Sequence, residues 1–247
     1  MKRRLITGIV ALTLAITTTM GMTPPRATAS SATNPTAHPH VDVATIAAAV
    51  KIAYEAYQAA TSGGISLKAA VSQILAAIQS AQTAIINHID AIAVANARAC
   101  AQNAVVDFPN FEVLTPDNQQ AFAVAATACV DLINSLVATV TDRSAQDQLG
   151  FSANAVGPIA LITRSRAGLS NTSFVPVLRS TNQQISTDLA PSCSFIFDPD
   201  FQGKVWACVA YNGNFQEDPN RQTAQNLAAT DTSWLVANNV LTQLAGL

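Results

Sequence analysis

The chain has 247 residues, of which 49% are hydrophobic and only 11% charged, and its formal net charge at neutral pH is −2. Beyond residue 29 its nine cations are scattered singly, which leaves no electrostatic footprint for nucleic acid and no polybasic patch for anionic lipid. The sequence contains no G-x-S-x-G elbow, no H-E-x-x-H, no Walker loop and no dinucleotide fingerprint, and no cofactor is expected.

Residues 1–29 read as an export signal. Lys2, Arg3 and Arg4 precede an apolar stretch from Leu5 to Met22, Pro24 and Pro25 break it, and Ala27 to Ser30 offer a small-residue cleavage site. The stretch is also about long enough to span a membrane, so an uncleaved anchor is the alternative. Cleavage removes four cations, Lys2, Arg3, Arg4 and Arg26, and no acid, so −2 becomes −6. The abundance of Ala, Val and Thr, with Arg preferred to Lys, suggests a bacterium with a GC-rich genome, in which export means secretion into the extracellular space. Residues 30–41, rich in Pro, Thr, Ser and Ala, read as a disordered leader. His38 and His40 in it are a weak metal pair or, more simply, part of a solvated tail.

From residue 42 to 247 we expect a single, mainly α domain. Val43, Ile46, Val50, Tyr54 and Tyr57 fall on one face of a first helix. Thr61 to Gly64 (TSGG) end it, since each glycine favours coil by about 1 kcal/mol. A long helix is predicted next, over Ser66–Val105. With Val71 at heptad position a, Ile78, Ile85, Ile92 and Ala99 repeat that position, while Ile74, Ala81, His88 and Ala95 occupy d. His88 then points into the seam and Asp90, about 200° around the helix, points away. The two form no catalytic dyad, and His88 reads as a seam residue that sets register or meets a neighbouring helix. From Ala69 to Ala97 the sole formal charge is Asp90. Three explanations fit: this helix is central to its own bundle, packs on another chain, or enters a membrane.

Thr115, Pro116 and Asp117 form a helix start, and Phe122, Cys129, Leu132, Ile133, Leu136 and Val140 make the stripe that follows. Asp131 and Asn134 make this helix a poor membrane span. Val140 to Gly150 read as a boundary, and Phe151 to Gly168 as helix interrupted at Gly157-Pro158. Phe174, Val177, Leu178, Ile185 and Leu189 suggest a further helix ending near Pro191.

The period then changes from 3.6 to 2. Pairing Cys193 with Cys208 also pairs Phe195 with Trp206, Ile196 with Val205 and Phe197 with Lys204, so a disulfide-clasped hairpin is expected at about 193–211. Four cysteines in an oxidising destination imply two disulfides. Cys100–Cys129 follows by elimination, although straight antiparallel helices would leave the two cysteines roughly 12 Å out of step. Asp198, Asp200, Asn212, Asn214, Glu217 and Asp218 could supply hard oxygen ligands to calcium, but they are also ordinary turn residues, and no metal site is expected. Asp218-Pro219 reads as the cap and first residue of C-terminal helical text, in which Trp234, Leu235, Leu241 and Leu244 supply apolar surface.

The expected architecture is a multi-helix bundle with one long central helix and the clasped hairpin near the C-terminal end. The leading functional expectation is a secreted, non-enzymatic interaction or structural protein of a bacterium, with an unidentified protein or cell-surface partner. A membrane-active, pore-forming-like helical protein is the alternative, and a secreted hydrolase the third reading. Nucleic acid is not an expected partner; membrane contact and self-association stay open.

Overall fold

A computed structural model describes residues 43–199 and 203–247. The export signal, the leader with His38 and His40, and Asp200 lie outside the described residues. The described chain is mainly helical, with nine helices and one small antiparallel sheet.

Helix α1 (Val43–Thr61) buries Val43, Ile46, Val50, Tyr54 and Tyr57, the face expected from their spacing. The predicted helix 66–105 is three helices: α2 (Leu67–Ser80), α3 (Gln82–Asp90) and α4 (Ala95–Asp107). Ser66 caps α2 by accepting the Ala69 N–H at 3.1 Å. At the first break Ser80 Oγ donates to the Ala77 carbonyl and Ala81 bonds back to Ile78, so the ladder tightens and α3 leaves α2 at 65°. The a positions Val71, Ile78, Ile85 and Ile92 stay buried, whereas Ala95 and Ala99 are exposed, because α4 restarts with its own buried face.

The spine of the bundle lies elsewhere. Helix α6 (Arg143–Arg166) packs against α1 to α5, α7 and α9, and every residue from Leu149 to Thr163 is buried. It starts inside the stretch expected as a boundary, with Asp142 capping it through the Ala145 N–H at 2.8 Å. It also runs straight through Gly157-Pro158. An interior proline costs a helix about 3 kcal/mol, and burial on all sides compensates. Three buried polar residues of α6 bond to their own preceding turn: Ser152 to the Gln148 carbonyl, Asn154 to Gly150 and Thr163 to Ile159. Gly150 and Gly157 share one face of α6. A Cβ at Gly157 would collide with the Tyr54 hydroxyl and lie 2.9 Å from Leu178; one at Gly150 would meet Ser233 and Ile185.

Helix α5 (Pro116–Val137) begins at Thr115 as expected, though the Thr115 side chain makes no capping bond. A six-residue 3-10 turn, Phe108–Val113, precedes it. That turn resolves the disulfide arithmetic. Seven residues of α4 and six of 3-10 helix rise roughly 22 Å, against roughly 20 Å from Pro116 to Cys129. Cys100 and Cys129 are disulfide-bonded, with Cα atoms 5.5 Å apart. Helix α7 (Phe174–Asp188) follows the loop after α6.

Strands β1 (Ser192–Asp198) and β2 (Gly203–Val209) pair in the register expected, including Cys193 with Cys208, which form the second disulfide. A third strand, β3 (Phe215–Asp218), pairs with β2 across a turn in which Gly213 has φ +85°. Asp218 therefore ends a strand and does not cap a helix. Its carboxylate accepts the Asn220 N–H, and Asn220 caps α8 (Arg221–Ala228) through the Thr223 N–H. Helix α9 (Ser233–Leu244) returns to the bundle and buries Trp234, Val236, Ala237, Val240 and Leu244.

Two cores result. The large one fills the bundle; a small one joins Cys208, Ala224 and Ala228 beneath α8, flanked by Cys193 and Trp206. Both disulfides are compatible with an extracellular location.

Candidate functional site

His88 comes toward the core as the heptad implies, half-buried on α3. Its ring lies 4.4 Å from that of Phe151 on α6, centroid to centroid, and its Nε2 has no hydrogen-bond partner. Burial lowers its pKa to about 4, which keeps the imidazole neutral. Asp90 is on the exposed side, where its carboxylate accepts from Gln102 and its carbonyl from Arg98, fastening α3 to α4. His88 and Asp90 share no contact and no chemistry.

The weakly charged helices α2 and α3 each bury one face only, so the shielded central position belongs to α6. Ser72, Gln73, Gln79 and Ser80 stand exposed as a polar but uncharged outer face.

The oxygen-rich residues do not converge. Asp198 pairs with Gly203 at one end of the sheet. Asn212 and Asn214 lie at the other, roughly 20 Å away at 3.3 Å per strand residue. There Asn212 accepts the Asn214 N–H, and the Asn214 amide donates to the Leu227 and Ala228 carbonyls. Glu217 and Asp218 sit opposite Ala207 and Trp206. Among the described residues no three His, Cys, Asp or Glu side chains gather to hold a metal ion.

Sequence reasoning missed one buried acid. Asp147 on α6 is 4% exposed and accepts the Ser233 backbone N–H, with a further hydrogen bond from the Tyr211 hydroxyl. Burial pushes its carboxyl up to about 6 against the opposing pull of those bonds. The arrangement is an N-terminal cap for α9 contributed by another helix, with no access to solvent for a reacting molecule.

An open groove of about 890 Å³ runs between α1, the start of α7 and the end of α9, lined by Glu55, Tyr57, Gln58, Thr172 and Arg179 among others. Its polar groups are engaged. Asn171 donates to Tyr57 and Ser165 and accepts from Arg164, Arg179 holds the Leu244 carbonyl, and Glu55 pairs with Lys51 at 3.8 Å. No histidine or cysteine is among its lining residues, and the groove brings no nucleophile beside a base.

The sheet presents a different chemistry. Alternation places Cys193, Phe195 and Phe197 of β1 on one face, beside Cys208, Trp206 and Lys204 of β2. Helix α8 covers the disulfide end. Beyond its reach Phe195 is 54% exposed and Phe197 66%. The Phe195 and Trp206 rings meet at 5.1 Å, Lys204 Nζ lies 5.9 Å from the Phe195 centroid, and the Arg221 guanidinium 5.0 Å from that of Trp206. These cation–π contacts and the clasp hold an apolar surface rigidly in water. This is the candidate site.

No protein-family model, curated protein or solved structure matches the chain. Its geometry alone supports a reading. The pairing of Phe195 with Trp206 is legible from the strand register. Arg221 is not, because its place depends on where α8 folds back; the Asn212-Gly213 pair was the available signal for the turn into β3.

Proposed function

We propose that the chain is a secreted, non-enzymatic protein of a bacterium that binds another macromolecule through the aromatic face of its clasped sheet. The observation that carries this reading is the exposure of Phe195 and Phe197 beside Trp206 on a pre-ordered strand. Rigid aromatic side chains in contiguous patches are what interfaces use, since they contribute large area with little ordering entropy. The perturbed groups elsewhere have structural uses: His88 packs on Phe151 and Asp147 caps α9. The disulfides and the signal-like N-terminal sequence favour export.

A membrane-active protein is the second reading. One described helix, α5, is long and apolar enough to cross a membrane, and α2 with α3 would be a second if the bent pair counted as one span. Against it, Cys129 ties α5 to α4 through Cys100, so α5 cannot leave the bundle alone.

The test compares the wild-type protein with a Phe195→Ser/Phe197→Ser variant in three assays. These are binding to a displayed-peptide library, dye release from lipid vesicles, and turnover of ester, peptide and glycoside substrates. Saturable binding that weakens roughly 10-fold or more in the variant, with neither dye release nor turnover, is the expected result. Dye release, turnover, or equal binding by the variant overturns the reading.

A further inference from the structure

Resting on that reading, we propose that the outer edge of β1 accepts an extended, acidic polypeptide as a fourth strand of the sheet. The sheet order is β1-β2-β3, and among the described residues no other strand pairs with β1. Ser192, Ser194, Phe195 and Phe197 are exposed, so side chains on both faces of this strand reach solvent. Alternate residues of an edge strand direct their N–H and C=O groups outward, where they can template another chain. Proteins usually blunt such an edge with lysine, proline or a bulge. Residues 192–198 contain neither lysine nor proline, and their pairing runs without a bulge. From Ser192 to Phe197 this edge carries none of those devices; the one charge of β1, Asp198, is buried at its end.

Charge selects the occupant. The two ion pairs among the described residues, Lys51–Glu55 and Arg166–Glu112, lie away from the sheet. Lys204 and Arg221 rest on aromatic rings, and Asp218, two strands in on the same face, accepts the Asn220 N–H. The aromatic face therefore carries two cations against the one carboxylate of Asp218, on a chain of net negative charge. A strand whose side chains alternate apolar with carboxylate would pack beside Phe195 and Phe197 while placing anions within reach of Lys204 and Arg221. A lipid surface fits less well, because an open sheet edge entering hydrocarbon leaves its backbone groups without partners. A second copy of the chain fits less well too. Its own β1 brings Cys193, Phe195 and Phe197 to the aromatic face and supplies no carboxylate there for Lys204 or Arg221.

The probes are heptapeptides of alternating glutamate and valine, the lysine and valine counterpart, and the glutamate peptide N-methylated on one or the other alternate set of residues. Each is titrated against the disulfide-intact protein, with affinity and hydrogen exchange of the β1 amides followed by NMR. The glutamate peptide should bind roughly 10-fold tighter than the lysine peptide. It should slow exchange at alternate β1 amides and lose binding when one methylation set is present. Lys204→Glu/Arg221→Glu should reverse the preference. If both methylated peptides bind as well as the parent, strand addition fails; the aromatic-face reading then survives where Phe195→Ser/Phe197→Ser still weakens binding, and fails where it does not. No binding by either peptide, unchanged preference in the charge-reversed variant, binding only to anionic vesicles, or dimerisation with β1 amides already protected each overturns the proposal.

Discussion

The Asp147 carboxylate accepts the backbone N–H of Ser233 at 2.6 Å, joining residues 86 apart in sequence. Ser233 is the first residue of α9, and the side chain of its own N-cap, Thr232, makes no capping bond. A helix N-terminus presents unpaired N–H groups, and here a carboxyl oxygen from α6 accepts one of them. Asp147→Ala removes that partner and should destabilise the protein by about 1–2 kcal/mol, measured by chemical denaturation.

The same carboxylate gives a pH dependence of definite sign. Its folded pKa of about 6 lies above the ordinary 3.8, so the folded state holds this proton more tightly than the unfolded chain. The stability it contributes is fully present below the unfolded value and is lost as pH rises through about 6. Asp147→Asn should remove this component from thermal melting curves recorded between pH 4 and 7. An unchanged difference between acid and neutral stability would contradict the assignment.

His88 acts in the opposite sense over the same window. Its folded pKa of about 4 lies below the ordinary 6.5, so the unfolded chain takes the proton first and stability falls as pH drops from 6.5 towards 4. The two slopes oppose each other in the wild type, and the variants separate them. His88→Leu should abolish the acid-induced loss and hold or raise stability by up to about 1 kcal/mol, because an unpartnered buried nitrogen is replaced by apolar contact with Phe151. His88→Asp should destabilise at neutral pH. An acid-induced loss that persists unchanged in His88→Leu would place its source elsewhere.

Gly150 and Gly157 set helix propensity against packing. Alanine in a helix interior is favoured over glycine by about 1 kcal/mol. Here the added methyl meets Ser233 and Ile185, or Tyr54 and Leu178. Overpacking of a buried site costs about 1–3 kcal/mol, so Gly157→Ala and Gly150→Ala should both lower the denaturation midpoint. A rise would show that the neighbouring helices yield easily.

The two disulfides should fail separately. Replacing Cys193 and Cys208 by serine opens a separation of 15 residues, worth about 3 kcal/mol in the chain-entropy model. Hydrogen exchange should accelerate in β1 to β3 and α8 while the bundle stays protected, since the sheet has its own small core. The Cys100–Cys129 pair, separated by 29 residues, should instead loosen α4 against α5.

The sequence by itself determined whatever depends on local periodicity and covalent chemistry. Val43 to Tyr57 had to present one apolar face, the period-2 text had to pair Phe195 with Trp206, and that register brought Cys193 to Cys208. Tertiary structure decided what depends on which faces meet. The uninterrupted heptads from Val71 to Ile92 kept their buried face, yet the helix broke at Ala81 and after Asp90, because packing around α6 outweighs the continuity of a marginal helix. Conversely α6 runs through Gly157-Pro158, a stretch that reads locally as a break, since burial on every side compensates for the missing hydrogen bond and glycine lets Tyr54 and Leu178 approach. Asp147 and Arg221 were illegible for the same reason. A cap given by one helix to another, and a guanidinium laid on a strand's tryptophan, arise from contacts between elements, which no local pattern encodes.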